Sequence, residues 1–191
     1  MAIDPPSIIT AFVALFIVMD PFTSVPIFMT LTKKFSPEHK KRAAEVAGLV
    51  AAGVLAGFLL LGPPVLSFLG IRIESFQIAG GILMLLISIS FALGVEFGKA
   101  EQTPIEAVII GVPMLSGPGV MLASILLSNS LGMENVLVAG LLACLASYLV
   151  LLGSSSINRI IGKSGLEILS RVMGVLLAAF AVEFIRKGIG V

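Results

Sequence analysis

The chain has 191 residues, of which 58% are hydrophobic and 12% charged, about half the charged share of an ordinary soluble domain. That composition argues against a soluble globular fold and for an integral membrane protein. With one cysteine, one histidine and a net charge of +1, an intrachain disulfide and a cysteine metal site are excluded, and no basic surface for nucleic acid stands out.

A helix needs about 20 apolar residues to cross the hydrocarbon of a bilayer. Six segments qualify: 8–31, 43–61, 76–97, 105–127, 136–153 and 168–186. In lipid every backbone donor needs a partner within the fold, so these segments are predicted to be helices. They are too long for barrel strands and lack the alternation of one. The opening MAIDPPS has no basic stretch of the signal-peptide kind, so the first apolar run is expected to stay as a span.

The first span carries its least membrane-like residues at its centre. Asp20 lies 12 residues from Ile8 and 11 from Leu31, followed by Pro21, Thr23, Ser24, Val25 and Pro26. Proline removes a backbone donor and crowds the preceding turn, which predicts an unwound stretch, with the second half-helix starting near Pro26. Proline suits a first helical turn, and Ser24 stands where a hydroxyl caps that turn or meets a ligand. A mid-membrane aspartate costs at least about 2.5 kcal/mol on insertion scales and usually faces a cavity on a substrate or ion path. Asp20 has three readings here: a partner for a substrate amine, a carrier of a coupling proton, or a cap for local backbone N–H groups.

The loop that follows carries Lys33, Lys34, Lys40, Lys41 and Arg42. Alternation of spans adds Lys99, Arg159, Lys163 and Arg171 to that side and leaves Arg72, Arg186 and Lys187 opposite, nine against three. The excess places the 32–42 loop in the cytoplasm of a multi-pass cell-membrane protein, with both termini outside. The basic loop also suits anionic lipid headgroups, although topology alone accounts for it.

Further along, Gly53 and Gly57 in the second span, and Ala139, Ala143 and Ser147 in the fifth, have the four-residue spacing of small residues that lets helices approach. Packing within one chain is the expected use. Gln77, Ser88 and Ser90 in the third span are expected to satisfy themselves locally. Glu96, Glu101 and Glu106 bracket a solvated loop, and Glu183 is expected near Arg186 at the end of the sixth span.

The fourth span repeats the first. At an offset of 92, Pro21, Ser24, Pro26 and Met29 fall on Pro113, Ser116, Pro118 and Met121, while Val112 replaces Asp20. Val46 to Leu49 fall on Val138 to Leu141 at the same offset, and an offset of 93 pairs Glu74 with Glu167, Gly81 with Gly174 and Phe91 with Phe184. Repeats of three spans each must enter the membrane from opposite sides. The expected fold is therefore an all-α membrane protein of two inverted three-helix repeats, 1–98 and 99–191, with the first and fourth helices broken at mid-membrane. In secondary transporters of this architecture substrate binds between the repeats near the midplane. Each new half-helix start, near Pro26 or Pro118, offers N–H groups to a carboxylate, and each preceding end offers carbonyls to an ammonium or a cation. Asp20, Pro21, Thr23, Ser24, Val25, Pro26, Ser116, Gly117, Pro118 and Gly119 are the candidate substrate-binding residues, with Asp20 the candidate for proton coupling.

The stretch FIVMDPFTSVPIFMTLTKKFSPEHKKRAA, from Phe16 to Ala44, resembles the N-terminal signature of the MarC family of bacterial and archaeal membrane proteins, and Ser116-Gly117-Pro118-Gly119 resembles its second signature. The resemblance covers nearly the whole chain. Members typically carry a proline or hydrophobic residue, then a small residue and asparagine, where this chain has Phe22-Thr23-Ser24. The family is named for a multiple-antibiotic-resistance locus, and its functionally assigned branch, SnatA, is associated with small neutral amino acids such as glycine and alanine. The resemblance therefore implies a secondary transporter of small neutral amino acids and suggests proton coupling, with sodium the other candidate ion.

Two other functions compete with this one. The first is an exporter of larger amphipathic compounds, for which Met19, Phe22, Phe28 and Met114 would line a cavity. The second is a non-transporting membrane scaffold. Enzyme chemistry is not expected, because the sole histidine, His39, lies in a charged loop away from any intramembrane serine. No cofactor, resident metal or nucleic-acid partner is expected. The expected partners are a small zwitterionic substrate, the bilayer and a coupling ion.

Overall fold

In the computed structural model, which describes residues 3–93 and 117–190, every element is a helix. The helices are α1 Pro5–Met19, α2 Pro21–Leu31, α3 Pro37–Phe68, α4 Ile73–Leu93, α5 Pro118–Leu131, α6 Met133–Leu152 and α7 Ser154–Ile189. Of the six expected spans, three match continuous helices long and apolar enough to cross a bilayer: α3, α4 and α6. The span of 168–186 lies in the Ser164–Ile189 part of α7, beyond a kink at Gly162, whose φ of 71° and ψ of 172° only glycine adopts readily. The first expected span falls on the bent pair α1 and α2, which only together pass the same test of length and apolarity. The fourth is described only from residue 117 onward. Val112, Pro113, Met114 and Ser116 lie outside the described residues, as do Glu96, Lys99, Glu101 and Glu106.

Local chemistry sets the helix starts. Asp4 caps α1 by accepting from the Ser7 N–H at 3.1 Å, ahead of two prolines in the first turn. Ser36 caps α3, accepting from the His39 N–H at 3.3 Å while its hydroxyl meets His39 Nδ1 at 2.7 Å. At about 1.5 Å per residue, α1 spans roughly 22 Å and α2 roughly 16 Å. Neither crosses about 30 Å of hydrocarbon alone, and the two in series do.

The contacts give the relative directions. Asp4 N–H donates to Asn135 Oδ1 at 3.0 Å and Ser147 Oγ lies 3.8 Å from Met19 Sδ, so α1 and α6 run parallel. Gly48 faces Tyr148 and Gly140 faces Leu55, so α3 runs against α6. Helices α4 and α7 are antiparallel and in close contact. A Cβ on Gly81 would lie 2.7 Å from the Ala181 carbonyl oxygen, and one on Gly174 would lie 2.8 Å from the Ala92 nitrogen. Only glycine permits that approach at either point.

Small side chains fill the interior and large ones face outward. Ala11, Ala14, Ala44, Ala47, Ala51, Ala139 and Ala143 are buried with Leu15, Leu55, Leu59 and Val136, while Leu60, Leu61, Leu86, Leu145 and Leu149 are exposed, as lipid-facing surface requires. The fifth-span set Ala139, Ala143 and Ser147 packs inside the chain as expected. Gly53 and Gly57 do not. A Cβ at either meets no described residue within 4 Å, so no described helix packs on that face of α3. Four-residue spacing makes a smooth stripe without saying which way it points. Buried Ser88, Ser124 and Thr32 bond to their own helix: Ser88 Oγ to the Leu85 carbonyl at 2.7 Å, Ser124 Oγ to the Met121 carbonyl at 2.8 Å and Thr32 Oγ1 to the Phe28 carbonyl at 2.7 Å. Glu183 pairs with Arg186 at 3.0 Å, as anticipated.

Candidate functional site

Asp20 is the hinge between α1 and α2. Its φ of 36° makes it the one non-glycine residue with positive φ among the described residues, a conformation that aspartate tolerates better than most side chains. The turn bends the two helices by 41°. On the α1 side the Asp20 N–H donates to the Phe16 and Ile17 carbonyls, each at 3.2 Å. On the α2 side Oδ1 accepts from the Thr23 N–H at 3.3 Å, and Oδ2 accepts from the Thr23 hydroxyl. The residue thus closes one helix and opens the next.

This corrects the expectation that the half-helix starts near Pro26. It starts at Pro21, and Pro26 sits inside α2. Both prolines satisfy the first-turn rule, and Asp20 selects Pro21 because its carboxylate caps the turn that follows. Ser24 is accordingly no cap. It lies within α2 and points its hydroxyl back at the Asp20 carbonyl, at 3.4 Å. Pro21, Ser24 and Val25 are buried, while Thr23 and Pro26 are half-buried.

Asp20 itself is only 2% exposed. Among the described residues the ion pairs are Lys41–Glu45, Arg72–Glu74 and Glu183 with Arg186 and Lys187, so none of them neutralises this carboxylate. A buried carboxylate without a cation is costly. Its supports are hydroxyls: Thr23 Oγ1 also bonds Ser170 Oγ of α7. A threonine hydroxyl has one proton. With that proton committed to Asp20, Ser170 is the donor to Thr23, and the chain runs Ser170 to Thr23 to Asp20. Ser170 was not anticipated. It lies 147 positions from Thr23, and its one trace in the sequence is that the 93 offset aligns it with Gln77 of the third span, itself buried.

The second motif arrives at the same place. Helix α5 begins at Pro118, as anticipated, with Gly117 as its N-cap at φ −61° and ψ 173° and no side-chain cap bond. Gly119 in its first turn is buried against α1, where an added Cβ would stand 3.0 Å from Val18 Cγ1. Val18 is two residues before the hinge. The structure therefore joins Asp20, Thr23 and Ser170 of α7 by hydrogen bonds, with Pro21, Ser24 and Val25 in the same first turns of α2, and it packs Gly119 at the start of α5 on α1 just before that hinge. The aromatic side chains beside the hinge are engaged with one another: Phe22 meets Phe16 edge to face at 5.9 Å, and Phe16 stacks on Phe12 at 5.8 Å.

The arrangement presents a buried carboxylate at a helix hinge and, packed on α1 two residues before that hinge, the start of a helix without a side-chain cap bond. Chemically it can hold a proton or ammonium at the carboxylate and a carboxylate at the amides.

Among known proteins, a family model described as MarC family integral membrane protein matches residues 6–191. The UPF0056 membrane protein MJ1677 of Methanocaldococcus jannaschii is 34% identical over 194 residues, covering 95% of each chain. A UPF0056 membrane protein of Archaeoglobus fulgidus is 33% identical over 192 residues, covering 94% of this chain and 90% of its own. The UPF0056 inner membrane protein YhgN of Escherichia coli K12 is 32% identical over 188 residues, covering 95% of each. No solved structure matches.

Proposed function

We propose, from the premise that this chain belongs to the MarC family of integral membrane proteins, that it is a secondary transporter of small neutral amino acids, glycine- or alanine-like, coupled to protons. One observation carries the reading: a buried carboxylate at a helix hinge, unpaired by any described cation, with the start of a second helix packed on α1 two residues before it. Asp20 takes the substrate ammonium or the coupling proton, and the start of α5, where the Gly119 N–H stands, takes the substrate carboxylate. Thr23 and Ser170 hold the Asp20 carboxylate in place. Ser116, Pro118 and Pro26 flank the same two turns.

The architecture we infer is two inverted repeats, 1–98 and 99–191, with six spans. The α4–α7 contact supports it. Gly81 touches Ala181 and Ile185, and Gly174 touches Ser88 and Ala92; subtracting 93 from Ala181 and Ile185 gives positions 88 and 92. Such exchange of partners in an antiparallel pair is the mark of a dyad perpendicular to the helices. With helices along the membrane normal, that dyad lies in the membrane plane, and alternating access follows from one repeat rocking on the other. The basic loop 32–42 faces the cytoplasm in this reading and both termini face outward. The chain acts without enzymatic chemistry. The drug-exporter alternative draws no support from Phe22, which packs edge to face on Phe16, or from Met19, which is buried against Ser147.

Purified protein in liposomes, offered labelled glycine, alanine and larger amino acids under an imposed pH or sodium gradient, tests the proposal. Uptake of the small neutral members driven by the pH gradient is expected. No uptake of any amino acid under either gradient would remove the transport reading.

A further inference from the structure

A second place in the fold joins cationic, polar and apolar groups. At the end of the bundle where α2 and α6 finish and α3 and α7 begin, a cavity of about 190 Å³ is lined by Phe28, Lys40, Lys41, Leu151, Leu152 and Ser154, among others. Lys41 stands 3.9 Å from Glu45, an exposed pair that holds it weakly, and Lys40 has no carboxylate partner among the described residues. Ser154 is only 4% exposed, yet its hydroxyl makes no hydrogen bond with a described residue. It is also the first residue of α7, whose opening turn has no side-chain cap. The cavity thus gathers two ammonium groups, an accessible serine hydroxyl that makes no hydrogen bond with a described residue, and the start of a helix without a side-chain cap bond, all of which suit a phosphate oxygen.

The apolar part of the lining decides what carries that phosphate. Phe28, Leu151 and Leu152 line the cavity together with the polar groups, and Leu152 is 45% exposed. A free anion has no use for such a wall, whereas the glycerol and first acyl carbons of a lipid do. The volume falls short of the roughly 300–1,000 Å³ that encloses a drug-sized ligand, which suits a headgroup whose tails stay in the bilayer. We propose that this cavity binds the phosphodiester headgroup of an anionic phospholipid, with Lys40 and Lys41 on the phosphate and Ser154 hydrogen-bonding one of its oxygens. The site lies at the α2–α3 and α6–α7 junctions and does not depend on the transport reading.

The test offers the purified full chain, in neutral detergent, equal amounts of phosphatidylglycerol and phosphatidylcholine, and counts the co-eluting lipids by mass spectrometry. A preference for phosphatidylglycerol on the order of tenfold is expected from two lysines near the headgroup. It should fall to near unity in Lys40→Gln/Lys41→Gln and in Ser154→Leu, whose side chain occupies the cavity. Lys33→Gln/Lys34→Gln removes the same charge nearby, outside the cavity lining, and should keep the preference. Equal losses in both lysine pairs would reduce the effect to general attraction and overturn the site. Inorganic phosphate that displaces phosphatidylglycerol from the unmutated chain would overturn the lipid in favour of a free anion. Should Ser154→Leu fail to fold, the two lysine pairs, on half-buried or exposed positions, still decide the matter.

Discussion

At the junction of α1 and α2 the backbone turns on a carboxylate; at the start of α5 it turns on a glycine. The two places are related by the 92 offset, which lays Pro26 on Pro118, yet their helices begin at different points of the repeat. Helix α2 begins at Pro21, five positions before Pro26, because Asp20 supplies a cap there. In the second copy Val112 takes the place of Asp20 and has no oxygen to offer, and the described helix starts at Pro118 behind Gly117. The difference has a chemical consequence. The first turn of α2 is satisfied by its own aspartate, while the first turn of α5 has no side-chain cap. One copy thereby places a carboxylate at its helix start and the other, among the described residues, a glycine without a side-chain cap bond, an asymmetry that the proposed zwitterion would use.

Replacing Asp20 attacks that division most directly. Asparagine keeps the left-handed conformation and the capping oxygen, so Asp20→Asn removes charge with little change in fold. If Asp20 meets the ammonium, the loss is about 2–5 kcal/mol of binding, or on the order of 30-fold or more in the substrate concentration at half-maximal uptake. If it carries the proton, uptake loses its response to the pH gradient at unchanged half-saturation. Kinetics identical to the unmutated chain in both respects would make Asp20 a cap and nothing more.

Thr23 comes next. Thr23→Val removes the hydroxyl that joins Asp20 to Ser170 while keeping the shape. Hydrogen bonds to charged groups are worth about 1.5–3 kcal/mol. The thermal unfolding midpoint should fall accordingly, and Thr23→Ser should restore it. A midpoint that Thr23→Val leaves in place would mean that the hydroxyl chain contributes nothing to holding the hinge.

The equivalence of the two copies is itself open to test at the α4–α7 crossing. Gly81→Ala and Gly174→Ala each force a Cβ against backbone of the other helix, at 2.7 Å and 2.8 Å, and overpacking of this kind costs about 1–3 kcal/mol. Losses of similar size at both sites are expected from a dyad; a loss at one alone would speak against it. Gly53→Ala supplies the contrast. Its Cβ meets nothing within 4 Å, so the change should stabilise α3 by roughly 0.5–1 kcal/mol through helix propensity.

These contrasts also mark what the sequence discloses. An aspartate and two prolines at the centre of an apolar run announce a break, and Pro118 between two glycines announces a helix start, because both are rules of local backbone chemistry. The exact turn was ambiguous at Pro21 and Pro26, since proline fits the first turn at either. Ser170 was illegible for a different reason: one serine in a span normally bonds its own helix, and nothing near it in sequence says that it reaches the hinge. The Gly53 and Gly57 stripe was misassigned to internal packing because spacing defines a face and not its direction.

The smallest change separates the two helix starts most finely. Gly117 has φ −61° and ψ 173°, which any residue adopts, so Gly117→Ser introduces no strain. Its hydroxyl would accept from an N–H in the first turn of α5, as Asp20 does for α2. Serine exceeds glycine as an N-cap by only a few tenths of a kcal/mol, and the unfolding midpoint should rise slightly. Transport should respond in the opposite sense. If those amides hold a substrate carboxylate, the new cap competes for them, and half-saturation should move to higher substrate while the maximal rate changes little. A variant that is marginally more stable and transports with unaltered half-saturation would show that the start of α5 does not touch the substrate, and the missing side-chain cap would then be a feature of folding alone.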